Sequence, residues 1–204
     1  MMPNELPNWC TSISASGPPM GEWNRFITNS CLQAGREHSP SLGLIDSQSV
    51  KTMSVTERKG LDGNKKINGR KRFIITDVLG LVLAVSVLPA NTGQRAGALV
   101  VLAQLRQRFG RLQTILADQG FDGLEFIQKL NTEFSLVIEV VCQVLGLKGF
   151  VVLPKRWIVE RTFGWFGFQR RLAKDYEVKP IHDEAFIYWT MIRIMSRRIR
   201  ETNS

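Results

Sequence analysis

The sequence predicts a mixed α/β fold, a central sheet flanked by helices, on three observations. Short runs rich in β-branched and aliphatic residues end in turn residues or carboxylates, as at Leu42–Asp46, Arg72–Asp77, Leu81–Pro89 and Leu112–Asp118. Between and after them lie segments whose apolar residues recur at helical spacing. The composition, 44% hydrophobic and 22% charged over 204 residues, is enough to bury a core in one ordinary domain with an appendage. It excludes wholesale disorder and the collagen-like and coiled-coil classes.

Taken in order, residues 1–34 hold Pro3, Pro7, Pro18 and Pro19, several Ser and Asn, and the isolated Trp9 and Trp23, with neither period 2 nor period 3.6. They are expected to be a poorly ordered leader, with residues 35–204 forming the folded domain. Leu42–Asp46 is a short apolar strand. Arg72–Asp77 and Leu81–Pro89, joined by a turn at Leu79-Gly80, form a hairpin over 71–89. Asn91-Thr-Gly opens a helix from Gln94 to Phe109 that aligns Ala98, Val101, Leu102 and Leu105, and Gly110 ends it. A fourth strand, Leu112–Asp118, leads through Gln-Gly-Phe-Asp-Gly to a helix at Leu124–Leu130, and a fifth strand spans Phe134–Val141. Phe150–Pro154 is a short apolar segment and Trp157–Leu172 a helix, whose Trp157, Phe163, Trp165 and Phe166 are expected in the core. A last helix, Asp183–Arg200, sets Ala185, Trp189, Ile192, Met195 and Ile199 on one face and Arg193, Arg197 and Arg200 on the other. No internal repeat is present.

The chain carries 27 Lys+Arg against 18 Asp+Glu, a formal net charge of +9. Residues 1–45 are net −1, while 46–154 and 155–204 are each +5. Eight basic residues lie between Lys51 and Arg72, interleaved with Gly60, Gly63 and Gly69. Such a glycine-rich basic loop can follow a phosphate backbone, so nucleic acid is the leading partner, although a solvated surface loop has the same composition. Three scattered cysteines, Cys10, Cys31 and Cys142, support neither a disulfide framework nor a zinc site and suit a reducing cytoplasm. No apolar run approaches the roughly 18 residues of a membrane span, no signal peptide opens the chain, and neither a Walker loop nor a G-x-G-x-x-G fingerprint appears.

Three carboxylates stand out. Asp46 and Asp118 each end an apolar strand, at the ligand-facing edge of an α/β sheet. Aspartate also ends strands as a turn former, so either alone says little. Glu160 lies on a helical face otherwise occupied by Arg156, Gly164 and Gly167, open to a bulky ligand. An ordinary Arg156–Glu160 surface pair would leave unexplained two glycines that weaken the helix by about 1 kcal/mol each. Converging, the three acids would make an oxygen-rich site for Mg²⁺ suited to phosphodiester cleavage or transfer.

Four blocks carry a likeness to a known family: Gly43–Lys51 (Gly-Leu-Ile-Asp-Ser-Gln-Ser-Val-Lys), Gly69–Arg72, Ile115–Phe121 (Ile-Leu-Ala-Asp-Gln-Gly-Phe), and Gly149–Trp165 continuing to Arg170–Glu177. In that order they resemble the catalytic domain of bacterial insertion-sequence DDE transposases, over about residues 35 to 200. The resemblance implies a ribonuclease H-like mixed sheet flanked by helices, with Asp46, Asp118 and Glu160 as catalytic and metal-binding triad for Mg²⁺ or Mn²⁺, two ions in all. The family pattern around the glutamate is Tyr, two residues, Arg, three residues, Glu, six residues, Lys. Arg156 and Glu160 match it, while Leu153 and Gly167 stand at the Tyr and Lys positions.

The implied function is DNA transposition: cleavage at insertion-sequence ends, then strand transfer into target duplex, by a homo-oligomer on DNA in the bacterial nucleoid. Phosphate contacts are expected from Lys51, Lys65, Lys66, Arg70, Lys71, Arg72, Arg156, Arg161, Arg170, Arg171 and Lys174. Relatives carry a helical DNA-recognition region ahead of the first aspartate, in one branch encoded in an upstream frame; this chain resembles the downstream, catalytic product. Three alternatives stay open: a ribonuclease H-like nuclease without strand transfer, a truncated non-catalytic DNA-binding or inhibitory fragment, and a misfolded remnant.

Overall fold

The sheet is built around β1 (Leu42–Lys51), which pairs on both edges. The structure is a computed structural model and describes residues 17–105, 108–141 and 155–202. Residues 1–16 of the expected leader, Cys10, Cys142, Leu153 and the apolar segment at 150–154 lie outside the described residues. On one edge β1 runs antiparallel to β3 (Ile67–Thr76), with Leu44 opposite Thr76 and Lys51 opposite Gly69. On the other it runs parallel to β5 (Thr114–Ala117), and β6 (Val137–Val140) continues parallel beyond β5. The far edge of β3 is shared by β2 (Gly60–Asp62), opposite residues 67–69, and β4 (Val82–Pro89), opposite residues 70–76.

Four antiparallel strands, β1 to β4, are thus followed by two parallel ones. Antiparallel neighbours need only a tight turn, and Asp77 builds it by accepting from Leu79 N–H at 2.9 Å and Leu81 N–H at 2.8 Å. Parallel neighbours need crossovers, which α2 (Gln94–Ala103) and α3 (Leu124–Lys129) supply. With α4 (Trp157–Gly167) against β1 and α5 (Pro180–Thr202) against β4, the chain has a ribonuclease H-like fold.

Alternation of side chains along paired strands puts Asp46, Ile74, Arg72 and Arg70 on one face of the sheet and Ser47, Phe73 and Lys71 on the other. On the second face α2 approaches closely, because a Cβ on Gly97 would stand 2.1 Å from the Phe73 ring. Glycine is required there.

The leader expectation is corrected for its second half. Residues Met20–Gln33 form a helix, α1, with Trp23, Phe26, Ile27 and Cys31 buried on one stripe. Trp23 is 0% exposed, donates to Val82 O at 3.1 Å and meets the Tyr188 ring edge-on at 4.9 Å. The helix starts after Pro19, whose missing N–H and fixed φ cost nothing just ahead of a first turn. The expected basic loop over 51–72 is corrected as well, since it contains β2 and the first half of β3. The helix expected to reach Phe109 ends at Ala103, and that expected to reach Leu172 ends at Gly167.

Burial and the Asp77 carboxylate push the buried Cys31 thiol up to about 11, so it is inert as a nucleophile. Among the described residues no helix is long and apolar enough to cross a membrane.

One packing contact makes stability depend on pH. Glu184 on α5 accepts the Val87 N–H at 2.8 Å, and burial, with the neighbouring Asp183 charge, pushes its carboxyl up to about 7 from 4.5. Between these values the folded chain holds a proton that the unfolded chain releases, so stability falls as pH rises through the window. Glu184→Gln keeps the acceptor and removes the titration. Urea midpoints at pH 5 and pH 8 are expected to differ less in this variant than in the unmodified chain.

Candidate active site

The register of β1 on β5 brings two carboxylates side by side. Leu42, Gly43 and Leu44 pair with Thr114, Ile115 and Leu116. Two residues beyond the last pair on each side come Asp46 and Asp118, on the same face and close enough for the charge of Asp118 to act on Asp46. Burial first, and then the negative charge of Asp118, push the Asp46 carboxyl up to about 6. The Ser47 N–H, donated to Asp46 Oδ1 at 2.6 Å, and the charges of Arg156 and Lys65 act in the opposite direction.

Asp118 follows the last residue of β5 and caps a single 3₁₀ turn, Gln119–Phe121, by accepting the Gly120 N–H at 2.9 Å. Phe121 is buried and anchors that turn, so one oxygen of Asp118 is oriented by backbone while the other faces Arg156. Glu160 lies in the first turn of α4, whose Ile158, Val159, Thr162, Phe163 and Phe166 are buried. Thr162 Oγ1 donates to Gly80 O at 3.1 Å and fixes the helix over the β3–β4 turn. The Arg156 guanidinium lies 3.7 Å from Asp118 Oδ2 and 3.5 Å from Glu160 Oε1, linking the second and third acids.

Asp46 is thus tied to Asp118 by register, and Asp118 to Glu160 through Arg156. Among the described residues, however, no three Asp, Glu, His or Cys side chains are drawn together into a group that could hold a metal ion. The donor chemistry itself suits one: carboxylate oxygens, with no thiolate or imidazole, match Mg²⁺ or Mn²⁺ and not Zn²⁺.

The eleven basic residues expected on phosphate divide sharply. Lys51, Lys65, Lys66, Arg170 and Lys174 are exposed. Arg70 and Arg72 are corrected: both are 0% exposed, because the face of β3 that carries them is covered by the start of α5 and the segment before it. Arg70 donates to Asp175 Oδ2 at 2.9 Å and to the carbonyls of Glu57, Glu177 and Val178. Arg72 holds Asp183 with two bonds of 2.7 Å and Leu172 O with a third of 2.7 Å. Neither can reach DNA.

Lys71 is nearly buried, with Nζ 3.0 Å from Thr92 O and 3.4 Å from Asp62 Oδ2. Arg171 pairs with Glu177 at 2.6 Å. Arg161 donates to Leu79 O at 3.0 Å between the rings of Trp157 and Trp165. Phe163 and Phe166 are core residues as expected, whereas Trp157 is half exposed and stacks on Arg161, and Trp165 stacks on Arg161 and Arg198.

Sequence reasoning missed Gln94, which accepts the Ser47 Oγ–H at 2.7 Å and abuts the Asp118 turn at Gly120. Its only signal was a place at a helix start.

No curated protein matches the chain. The family described as transposase DDE domain matches residues 37–194, a span that runs from ahead of β1 into α5 and includes all three carboxylates, and the chain therefore belongs to the DDE transposase-domain family.

Proposed function

We propose that this chain cleaves DNA at insertion-sequence ends and transfers the freed strand to target DNA, with Asp46, Asp118 and Glu160 as the triad. The observation that supports it most is the β1–β5 register, which sets Asp46 beside Asp118 with Arg156 reaching from Asp118 to Glu160. Asp46, Asp118 and Glu160 would hold divalent ions, two of the Mg²⁺ or Mn²⁺ class, which would supply positive charge for an in-line displacement at phosphorus.

The chain's own residues do the rest. Gly120 N–H holds one Asp118 oxygen and leaves the other for a ligand. Arg156 balances the acids in the absence of a ligand and is placed to move onto a phosphate oxygen. Lys51, Lys65, Lys66, Arg170 and Lys174 hold the backbone of duplex DNA. Water attacks the phosphodiester and releases a 3′-hydroxyl, which then displaces the 3′-oxygen at a target phosphodiester, so each step breaks one P–O bond and forms another. A second copy on the DNA and an upstream-frame recognition region belong to the same reading.

The test is incubation with supercoiled plasmid and with pre-cut element ends in Mg²⁺ or Mn²⁺. Nicking and end joining are expected. Nicking without joining would make the chain a nuclease, and absence of metal-dependent nicking would favour a non-catalytic fragment.

A further inference from the structure

A cavity of about 290 Å³ opens between the β2–β3 turn and the loop from β4 to α2, and none of the three acids lines it. Its walls carry Asn64, Lys65, Asn91, Thr92 and Gln94, with Lys71 at its base. Both walls are held in place. Asp62 accepts the N–H groups of Asn64 and Lys65, each at 3.1 Å, and so fixes the turn. Ser49 Oγ–H donates to the other Asp62 oxygen at 2.6 Å, and this bond above all brings its carboxyl down to about 2. Lys71 then bridges the walls, from Asp62 to Thr92 O.

The carboxamides are placed too. A Cβ on Gly60 would stand 2.1 Å from Asn91 Oδ1, so the glycine leaves the space that Asn91 occupies. Gln94 Oε1 is taken by the Ser47 hydroxyl, which leaves its NH₂ as a donor.

The cavity lies near the triad. Ser47 follows Asp46 in β1, the pairing of β1 with β5 stops at Leu44, and Gln94 spans from Ser47 to the Asp118 turn at Gly120. Lys65 is close enough for its charge to act on Asp46. A DNA strand lying on Asp46 and Asp118 can pass Gln94 into the cavity.

Asn and Gln side chains recognise base edges by paired hydrogen bonds, and Lys recognises phosphate as a point charge. Resting on the DNA-cleavage reading above, we propose that this cavity is a specificity subsite for a nucleotide flanking the reacting phosphodiester. Lys65 binds its phosphate, and Asn64, Asn91 and Gln94 read its base edge.

The experiment measures binding of the full chain to four fluorescein-labelled duplexes with a short 3′ overhang, identical except for A, C, G or T at the end, by anisotropy in Ca²⁺ over a series of salt concentrations. The unmodified chain is expected to prefer one base by about five- to a hundredfold. Asn91→Ala with Gln94→Ala abolishes that preference, and Asn64→Ala, on the exposed turn, reduces it without touching the core. Lys65→Gln weakens all four alike and lowers the salt slope by about one. Equal binding of the four duplexes by the unmodified chain, preference retained in the carboxamide variants, or an unchanged salt slope in Lys65→Gln would overturn the subsite. Binding to none of them would overturn the DNA reading instead.

Discussion

Asp118→Asn is expected to leave the fold intact and to lower metal-dependent nicking of supercoiled DNA about 10³-fold. The asparagine Oδ1 still accepts the Gly120 N–H that holds the turn after β5, so stability should stay within about 0.5 kcal/mol. What disappears is a negative charge beside Asp46. Loss of one carboxylate from a site that must hold divalent cations removes several kcal/mol of transition-state stabilisation, and each 1.36 kcal/mol is tenfold in rate. Glu160→Gln should show the same separation of activity from stability, because Glu160 is exposed and among the described residues its side chain pairs with Arg156. A quenched rate assay beside a urea melt distinguishes the outcomes. Activity within tenfold of the unmodified chain would show that Asp118 is only the turn former that its bond to Gly120 also makes it.

Arg72→Ala is expected to do the reverse, destabilising the chain by about 3–5 kcal/mol through a mechanism unrelated to DNA. The guanidinium is fully buried and makes three bonds of 2.7 Å, two of them to Asp183 in the first turn of α5. Removing it strands a buried carboxylate and an unpartnered carbonyl. At about 2–4 °C per kcal/mol for a chain of this size, the melting temperature should fall by roughly 6–20 °C. Arg72→Met combined with Asp183→Leu removes both charges and should cost much less, since replacing a buried pair by apolar residues of similar volume is often neutral or stabilising. If Arg72→Ala melted normally and bound DNA more weakly, the buried pairing would be wrong and a phosphate contact right.

These two variants mark where the sequence is informative and where it is silent. The strands at 42, 72, 81 and 112 are legible because β-branched and aliphatic runs bounded by turn residues have few other uses. Glu160 is legible because glycines keep its helical face bare. The register of β1 on β5 is not legible, since a parallel pair is joined through a crossover and set by packing at a distance. Arg70 and Arg72 belong to the same blind spot: their partners Asp175 and Asp183 lie 105 and 111 residues away, so a local charge count reads them as a basic patch. The helix at 20–33 was hidden because its apolar stripe is narrow and sits behind two prolines. In each case the missing information is which face of an element is covered, and only the assembled sheet supplies it.

The shared carboxylate site is tested most directly by anomalous diffraction from crystals of the chain grown with Mn²⁺. The expected result is a manganese peak in contact with the carboxylates of both Asp46 and Asp118, lost in Asp118→Asn crystals. Carboxyl groups of Asp46, Asp118 and Glu160 lying more than about 10 Å apart, too far to share ions about 4 Å from one another, would contradict it.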